Sequence, residues 1–480
     1  MLQTTNYKLQ ARHIIYTALM LLGLSFLAYF YSWVNIGAFA GFGLLMLVLG
    51  LWRREYALYL AFLELTLGSF GYLLSFGLGG LNLPIRMLFF VIIIALWIYD
   101  LITNYKLLIT NLKNSCKFII SLGIFFLVCI ISVLRGYFAG HGLSNVFFDA
   151  NSYLYLLLFL PAIKYINTKE KLDGLLKVIL AGAAILAMET FGLFIIFAKS
   201  QNIGLLEIIY KWIRDFRIGE ITSLENGAYR IFLQSQIYLL IGFFLLAVLR
   251  IYKRISARKY LLLGILFSAA IYISLSRSLW IGFGAGLIVL TILMIYEKSG
   301  YKKILQVFTE IAAIIFIGAA IMSLFIPNAS FLASRLKLGE SALNTRTEQL
   351  KPLLPAIKNS LILGYGFGKT LTFKSFDPRI TYVTKDGLYT TYAFEWGYLD
   401  MLLKFGILGL AGYLFFIFNI ISKLAKKIKT APMPVILALS SLAAFLATHI
   451  FTPYLNHPLG IGILILAGVT ACIDKSQKID

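Results

Sequence analysis

Along most of this chain, long apolar runs alternate with short charged connections. A helix needs about 20 apolar residues to cross a bilayer. By that rule about fourteen segments qualify as spans: 14–32, 34–52, 56–76, 84–100, 117–134, 150–163, 174–198, 231–249, 260–276, 279–296, 304–326, 396–421, 433–450 and 458–473. Segments 34–52 and 150–163 are the weakest; if they are re-entrant, about twelve spans remain. The pattern predicts an all-α fold, a polytopic transmembrane helical bundle of about 12–14 spans. Residues 1–326 hold the first eleven spans and an outer segment at 199–230, and 396–480 hold the last spans. Between them, 327–395 form one large polar loop that contains short helices.

Charge sets the orientation. Arg53-Arg54, Lys106/Lys113/Lys117, Lys164/Lys169/Lys171, Arg250 to Lys259, Lys298/Lys302/Lys303 and Lys423 to Lys429 all fall on one side of the predicted spans. Lys and Arg in short loops mark the cytoplasmic side, so both termini are expected there and the 199–230 segment and the large loop outside. Long exported loops escape that rule, so their own basic residues need another explanation.

Composition agrees. Hydrophobic residues make up 60% of the 480 and charged residues 13%, about half the charge of an ordinary soluble domain. The formal net charge of +22 lies in clusters between apolar runs, which is a topology signal and argues against a nucleic-acid partner. Cys116, Cys129 and Cys472 lack the spacing of a metal site or disulfide framework. The run from Ile14 to about Tyr31 is too long for a signal-peptide core and reads as a retained span.

Candidate chemistry concentrates at the outer face. Arg277, in Ser274-Leu275-Ser276-Arg277-Ser278, stands where two spans meet. A guanidinium at that depth is either an interfacial side chain reaching headgroups or a fixed cation for phosphate oxygens, with Ser276 among the residues that could hold it. Thr345 and Glu348 have capping-box spacing, which predicts a helix starting there and running toward Lys358, kinked or shortened by Pro352 and Pro355. Arg346 then lies in a first turn, where free backbone N–H groups also favour an anion. Arg230 and Arg217 belong to the other outer segment, and either could complete a cationic cluster. Glu395 sits at the mouth of span 396–421 as a helix cap or a general base. Tyr398 and Asp400 follow it, and Asp400 could pair with Lys404 at i+4. The glycines of Gly364-Tyr365-Gly366-Phe367-Gly368 permit close backbone approach, but without a preceding strand or a Gly-Lys-Ser/Thr they are no nucleotide loop. His449 and His457 read as interfacial histidines, with acid or base assistance as the alternative. Glu64 and Glu189 are the main mid-membrane acids.

Several of these pieces, in this order around one exported loop, are similar to the O-antigen ligase and O-antigen polymerase superfamily. They are Ser274-Leu275-Ser276-Arg277, Arg346 on a loop helix, Asn359 through Gly368, and Tyr398-Leu399 ahead of Phe405-Gly406-Ile407-Leu408-Gly409-Leu410, together covering about 230–410. The resemblance implies an enzyme that acts outside the cytoplasmic membrane on undecaprenyl-pyrophosphate-linked oligosaccharide, with no nucleotide sugar, cofactor or metal. It implies arginines gripping the pyrophosphate, here Arg277, Arg346 and Arg230. From the chain's own pattern, Arg217, Tyr398, Ser276 and Gly366 are further substrate-binding candidates. Ligases of the family carry a His-Asn pair ahead of the Tyr-Leu. Counted back from Gly406, that pair falls on Glu395-Trp396, which favours a polymerase whose catalytic base is Glu395. Membrane lipids and a chain-length regulator are the partners this reading suggests. A ligase that moves finished glycan to an acceptor is the alternative, and spans alone also leave a polysaccharide transporter or flippase open. A transporter is expected to place ionisable groups in mid-membrane, whereas most charge here lies at the outer mouth.

Overall fold

In a bilayer every backbone polar group must be satisfied within the protein, and the apolar runs do so as helices. A computed structural model describes residues 10–79, 81–103, 105–224, 229–324, 341–384 and 386–473. Its helices in the first half are α1 Ala11–Phe30, α2 Ser32–Trp52, α3 Arg54–Leu67, α4 Ile85–Thr103, α5 Tyr105–Phe138, α6 Leu143–Ala150, α7 Phe159–Tyr165, α8 Lys169–Lys199 and α9 Ile203–Asp215. Then come α10 Ile237–Ile251, α11 Ala257–Ser274, α12 Arg277–Tyr296, α13 Tyr301–Ser323, α14 Ser341–Asn359, α15 Pro378–Val383, α16 Gly397–Lys427, α17 Pro432–His449 and α18 Pro458–Cys472.

Twelve helical segments among the described residues are long and apolar enough to cross a membrane. The protein is a multi-pass, all-α membrane protein. Both weak segments are helical: α2 runs unbroken, and 143–165 is built from α6, a 3-10 stretch and α7. The expected span 56–76 is shorter than predicted, because α3 stops at Leu67 and a turn leads into the hairpin β1 (Ser75–Leu78) and β2 (Leu81–Pro84). Helix α18, with fifteen residues, is likewise short. Two more hairpins lie in the long segments between spans, β3 (Gly219–Ser223) with β4 (Tyr229–Leu233) and β5 (Leu371–Lys374) with β6 (Leu388–Thr391). The first fourteen residues of the expected loop, 327–340, lie outside the described residues.

Helices α3, α10 and α18 are enclosed by others and buried along nearly their whole length. At the periphery, Trp33, Leu44, Leu305 and Phe316 expose large apolar side chains, the pattern of a lipid-facing surface. Small residues let helices approach closely: a Cβ on Gly282 of α12 would collide with Thr448 Oγ1 and lie 2.6 Å from the Ala444 carbonyl oxygen of α17. Arg86 and Glu64 form a buried ion pair. Arg86 forks onto Glu64 at 2.8 and 3.0 Å and donates to the Ser69 carbonyl at 2.7 Å, so the mid-membrane acid Glu64 is neutralised in place.

Candidate functional site

The N-terminal end of α16 carries the centre of the site. Helix α14 continues through Pro352 and Pro355 to Asn359 and is already helical from Ser341, so the expected start at Thr345 is wrong. Thr345 Oγ1 instead accepts the Phe376 N–H at 2.9 Å, which ties α14 to the segment after β5. Arg346 therefore lies inside the helix, away from free N-terminal N–H groups. What α14 contributes is a face. Leu353, Ala356 and Ile357 pack with Phe373, Phe394 and Leu403 into a small apolar core that belongs to the loop.

That packing brings Arg346 against Glu395. Arg346 Nε donates to Glu395 Oε2 at 2.5 Å, and the two side chains remain 25% and 44% exposed. The pair is held from both sides. Gln349, one turn along α14 and buried, accepts the Glu395 N–H at 3.2 Å, and Trp396 Nε1 donates to the Arg346 carbonyl at 2.9 Å.

A chain of contacts leads from this pair to Arg277. The Trp396 ring meets Phe451 at 5.4 Å between centroids. Next to Phe451, Thr452 donates to the Ser278 hydroxyl at 2.8 Å, and Ser278 lies 3.0 Å from the Ser276 hydroxyl. Arg277 stands between those serines at the start of α12, half-buried. The turn before it is strained: Leu275 adopts φ 47°, a left-handed conformation unusual for a side chain of its size. Arg230, on β4, donates its Nε to the Ser274 carbonyl at 2.9 Å and lies 4.8 Å over the Phe232 ring. Arg277, Arg346, Glu395 and Arg230 thus occupy one end of the bundle, joined through 274–278 and 451–452. Arg217 is placed elsewhere on that end. Its guanidinium stacks at 4.8 Å over Tyr72, and its backbone also has positive φ.

Other candidates have structural partners. Tyr398 donates its hydroxyl to the Leu446 carbonyl at 3.0 Å and meets the His449 ring edge-on at 4.6 Å. His449, expected at the interface, is fully buried and accepts the Leu455 N–H at Nδ1. His457 lies under Phe70, with ring centroids 5.3 Å apart; burial first, and the nearby Arg86 second, hold its imidazole down to about 3. Gly366 docks backbone to backbone: a Cβ there would lie 2.7 Å from the Ser132 carbonyl oxygen of α5, and its φ of 84° suits glycine. The whole 361–368 segment is fastened this way. Tyr365 and Gly366 donate to the carbonyls of Leu403 and Lys404, and Ile407 and Leu408 donate back to Leu361 and Ile362. These bonds are available because α16 is broken at Gly406 (φ 64°, ψ −167°). Arg135 and His141 add bonds of 2.7 and 2.9 Å to the carbonyls of Gly364 and Phe367.

Residues 261–414 match the family described as O-antigen ligase. The match covers α11 to the middle of α16 and so includes Arg277, Arg346, Glu395 and the Gly364–Gly368 segment. Over that stretch the protein is similar to the O-antigen ligase and polymerase superfamily. The match and the twelve apolar helices support a membrane enzyme of surface-glycan assembly. No curated protein matches the chain.

Sequence reasoning overlooked Asp149, Gln349 and Thr452. Asp149 carried a usable signal: it is an acid inside an apolar run, where a charged group calls for a partner. Gln349 and Thr452 carried none, because their part depends on how α14 and the 450–457 turn meet α16.

Proposed function

We propose that this protein is a membrane glycosyltransferase that polymerises undecaprenyl-pyrophosphate-linked oligosaccharide repeat units on the outer face of the bacterial cytoplasmic membrane. The observation that carries this reading is the partly exposed Arg346–Glu395 pair, set on the same end of the bundle as Arg277 and Arg230. A glycosyl pyrophosphate is already activated. The enzyme must stabilise charge as it builds on the leaving diphosphate, and fixed guanidinium groups supply that. Arg277 and Arg346 grip the diphosphate, with Arg230 braced on the Ser274 carbonyl beside them. The acceptor hydroxyl oxygen bonds to the anomeric carbon as the bond from that carbon to the phosphate oxygen breaks. The electron pair leaves with the diphosphate, and the hydroxyl proton passes to the Glu395 carboxylate. One displacement of this kind inverts the anomeric centre. Because the Arg346–Glu395 pair is open to solvent, an incoming diphosphate can share Arg346 while the carboxylate turns to the acceptor.

The second reading is a ligase, supported by the description of the matched family. Reconstitution with purified lipid-linked oligosaccharide separates the two. A ladder without added acceptor supports the polymerase, a single transfer to a second acceptor supports the ligase, and unmodified substrate moved across the bilayer indicates a flippase. Alanine at Arg277, Arg346 or Glu395 is expected to abolish elongation with protein still in the membrane; full activity in all three variants rejects the assignment.

A further inference from the structure

Below the Arg346–Glu395 pair lies a second cluster of charge, out of contact with solvent. Lys404, 1% exposed, reaches Asp149 Oδ1 at 2.5 Å and Asp400 Oδ2 at 2.8 Å. Each carboxylate also accepts a backbone N–H from one end of the 368–394 segment: Asp149 Oδ2 from Gly368 at 2.9 Å, and Asp400 Oδ1 from Phe394 at 3.3 Å. The Asn456 amide donates to Asp400 Oδ2 at 3.0 Å, which adds the turn between α17 and α18. Asp149 belongs to α6, Asp400 and Lys404 to α16.

A buried ion pair is weak evidence of stability, because desolvation offsets most of the attraction. Three charges in this place call for another account, and their geometry provides it. One ammonium fixes the separation of two carboxylates, and the carboxylates fix the two ends of the β5–β6 segment. The Phe394 end is one residue from Glu395. Asp400 sits one turn into α16, so it sets where the chain enters that helix and hence where Glu395 presents its side chain to Arg346.

We propose that Asp149, Lys404 and Asp400 form a clasp that positions Glu395 against Arg346 by pinning both ends of the 368–394 segment to the bundle. These are positioning residues, and they touch neither substrate nor reacting atoms. Their link to turnover rests on the polymerase reading above, whereas the clasp as a mechanical device does not.

The test uses the full-length protein with Cys116, Cys129 and Cys472 replaced by alanine and spin labels at Leu143→Cys and Leu388→Cys, both exposed positions. Three variants are compared: Lys404→Met, Lys404→Arg, and the charge-neutral triple Asp149→Asn/Asp400→Asn/Lys404→Met. The triple leaves no uncompensated buried charge, so it reaches the membrane even where Lys404→Met does not fold. The clasp predicts a single narrow label distance in the parent and Lys404→Arg, and a broadened one in the triple. Misplacing a catalytic group by about 1 Å costs about 10²-fold in rate. The triple should therefore lose about that factor in kcat for elongation with KM for the lipid-linked glycan within about twofold, and Lys404→Arg should recover most of the loss. A narrow distance and parental kcat in the triple overturn the clasp. Broadening in the triple, together with no elongation by the parent on any lipid-linked glycan, leaves the clasp standing and removes the polymerase reading instead.

Discussion

Replacing Gly406 with alanine tests how the segment ahead of α16 is fastened to the membrane helices. Gly406 interrupts α16 at φ 64° and ψ −167°, a combination open to glycine. Forcing a residue with a Cβ into such a conformation costs about 1–3 kcal/mol. The new methyl would also collide with the Ile362 carbonyl and lie 2.6 Å from the Gly364 nitrogen, so the strands of backbone must separate. Four hydrogen bonds link 361–366 to 403–408, and each that breaks removes about 1 kcal/mol. Losing two to four of them with the strain gives a cost of about 3–7 kcal/mol. The assay is thermal unfolding of the detergent-solubilised protein, followed by its monomer peak. Gly412→Ala is the control, since the same helix leaves open space around a Cβ there; alanine should be neutral or stabilise by up to about 1 kcal/mol. If Gly406→Ala unfolds at the parental midpoint, or both variants fall by the same amount, the interlocked break is not what holds the segment down.

Further expectations concern other groups. Arg346→Ala should slow ladder formation by about 10²–10³-fold at equal protein level, and Arg346→Lys should recover little, because an ammonium lacks the guanidinium's donor fork. Arg86→Met leaves Glu64 buried without its cation and should cost about 3–5 kcal/mol, read as lower membrane yield and midpoint; the double variant with Glu64→Leu should recover most of it. His457 has an ordinary unfolded value near 6.5 but is held down to about 3 in the fold. Between those values the unfolded chain binds the extra proton, so this group makes stability fall as pH drops from about 7 toward 4. His457→Asn, which keeps an acceptor for the Leu459 N–H, should flatten that decline across unfolding midpoints measured from pH 7.5 to 4.5, and equal slopes would reject the account.

Most of the membrane part was legible from composition, because a bilayer demands helices of a fixed length and the apolar runs have it. Where reading failed, tertiary contacts had overridden a local signal. Thr345 and Glu348 have the spacing of a helix start, yet Thr345 bonds to Phe376 and the helix runs past it. Pro352 and Pro355 do not end α14, since burial of Leu353, Ala356 and Ile357 sustains it. The span beginning at Tyr56 is cut short after Leu67, and the carbonyl of Ser69 just beyond it is taken by Arg86. The pairing of Asp400 with Lys404 followed from i+4 spacing, and the third member, Asp149, lies 255 residues from Lys404, a separation that no local pattern can bridge.

The interruption at Gly406 also decides where one working part ends and the next begins. Leu399, Leu402 and Leu403, on the N-terminal side of the break, pack with the loop's own apolar core, while Tyr413, Phe416 and Ile417, on the C-terminal side, pack with the bundle. A chimaera that grafts this loop segment onto a relative should therefore be joined at the glycine. A junction at the Trp396 border, where hydropathy changes, would leave Leu399, Leu402 and Leu403 of the segment's hydrophobic floor behind in the wrong parent.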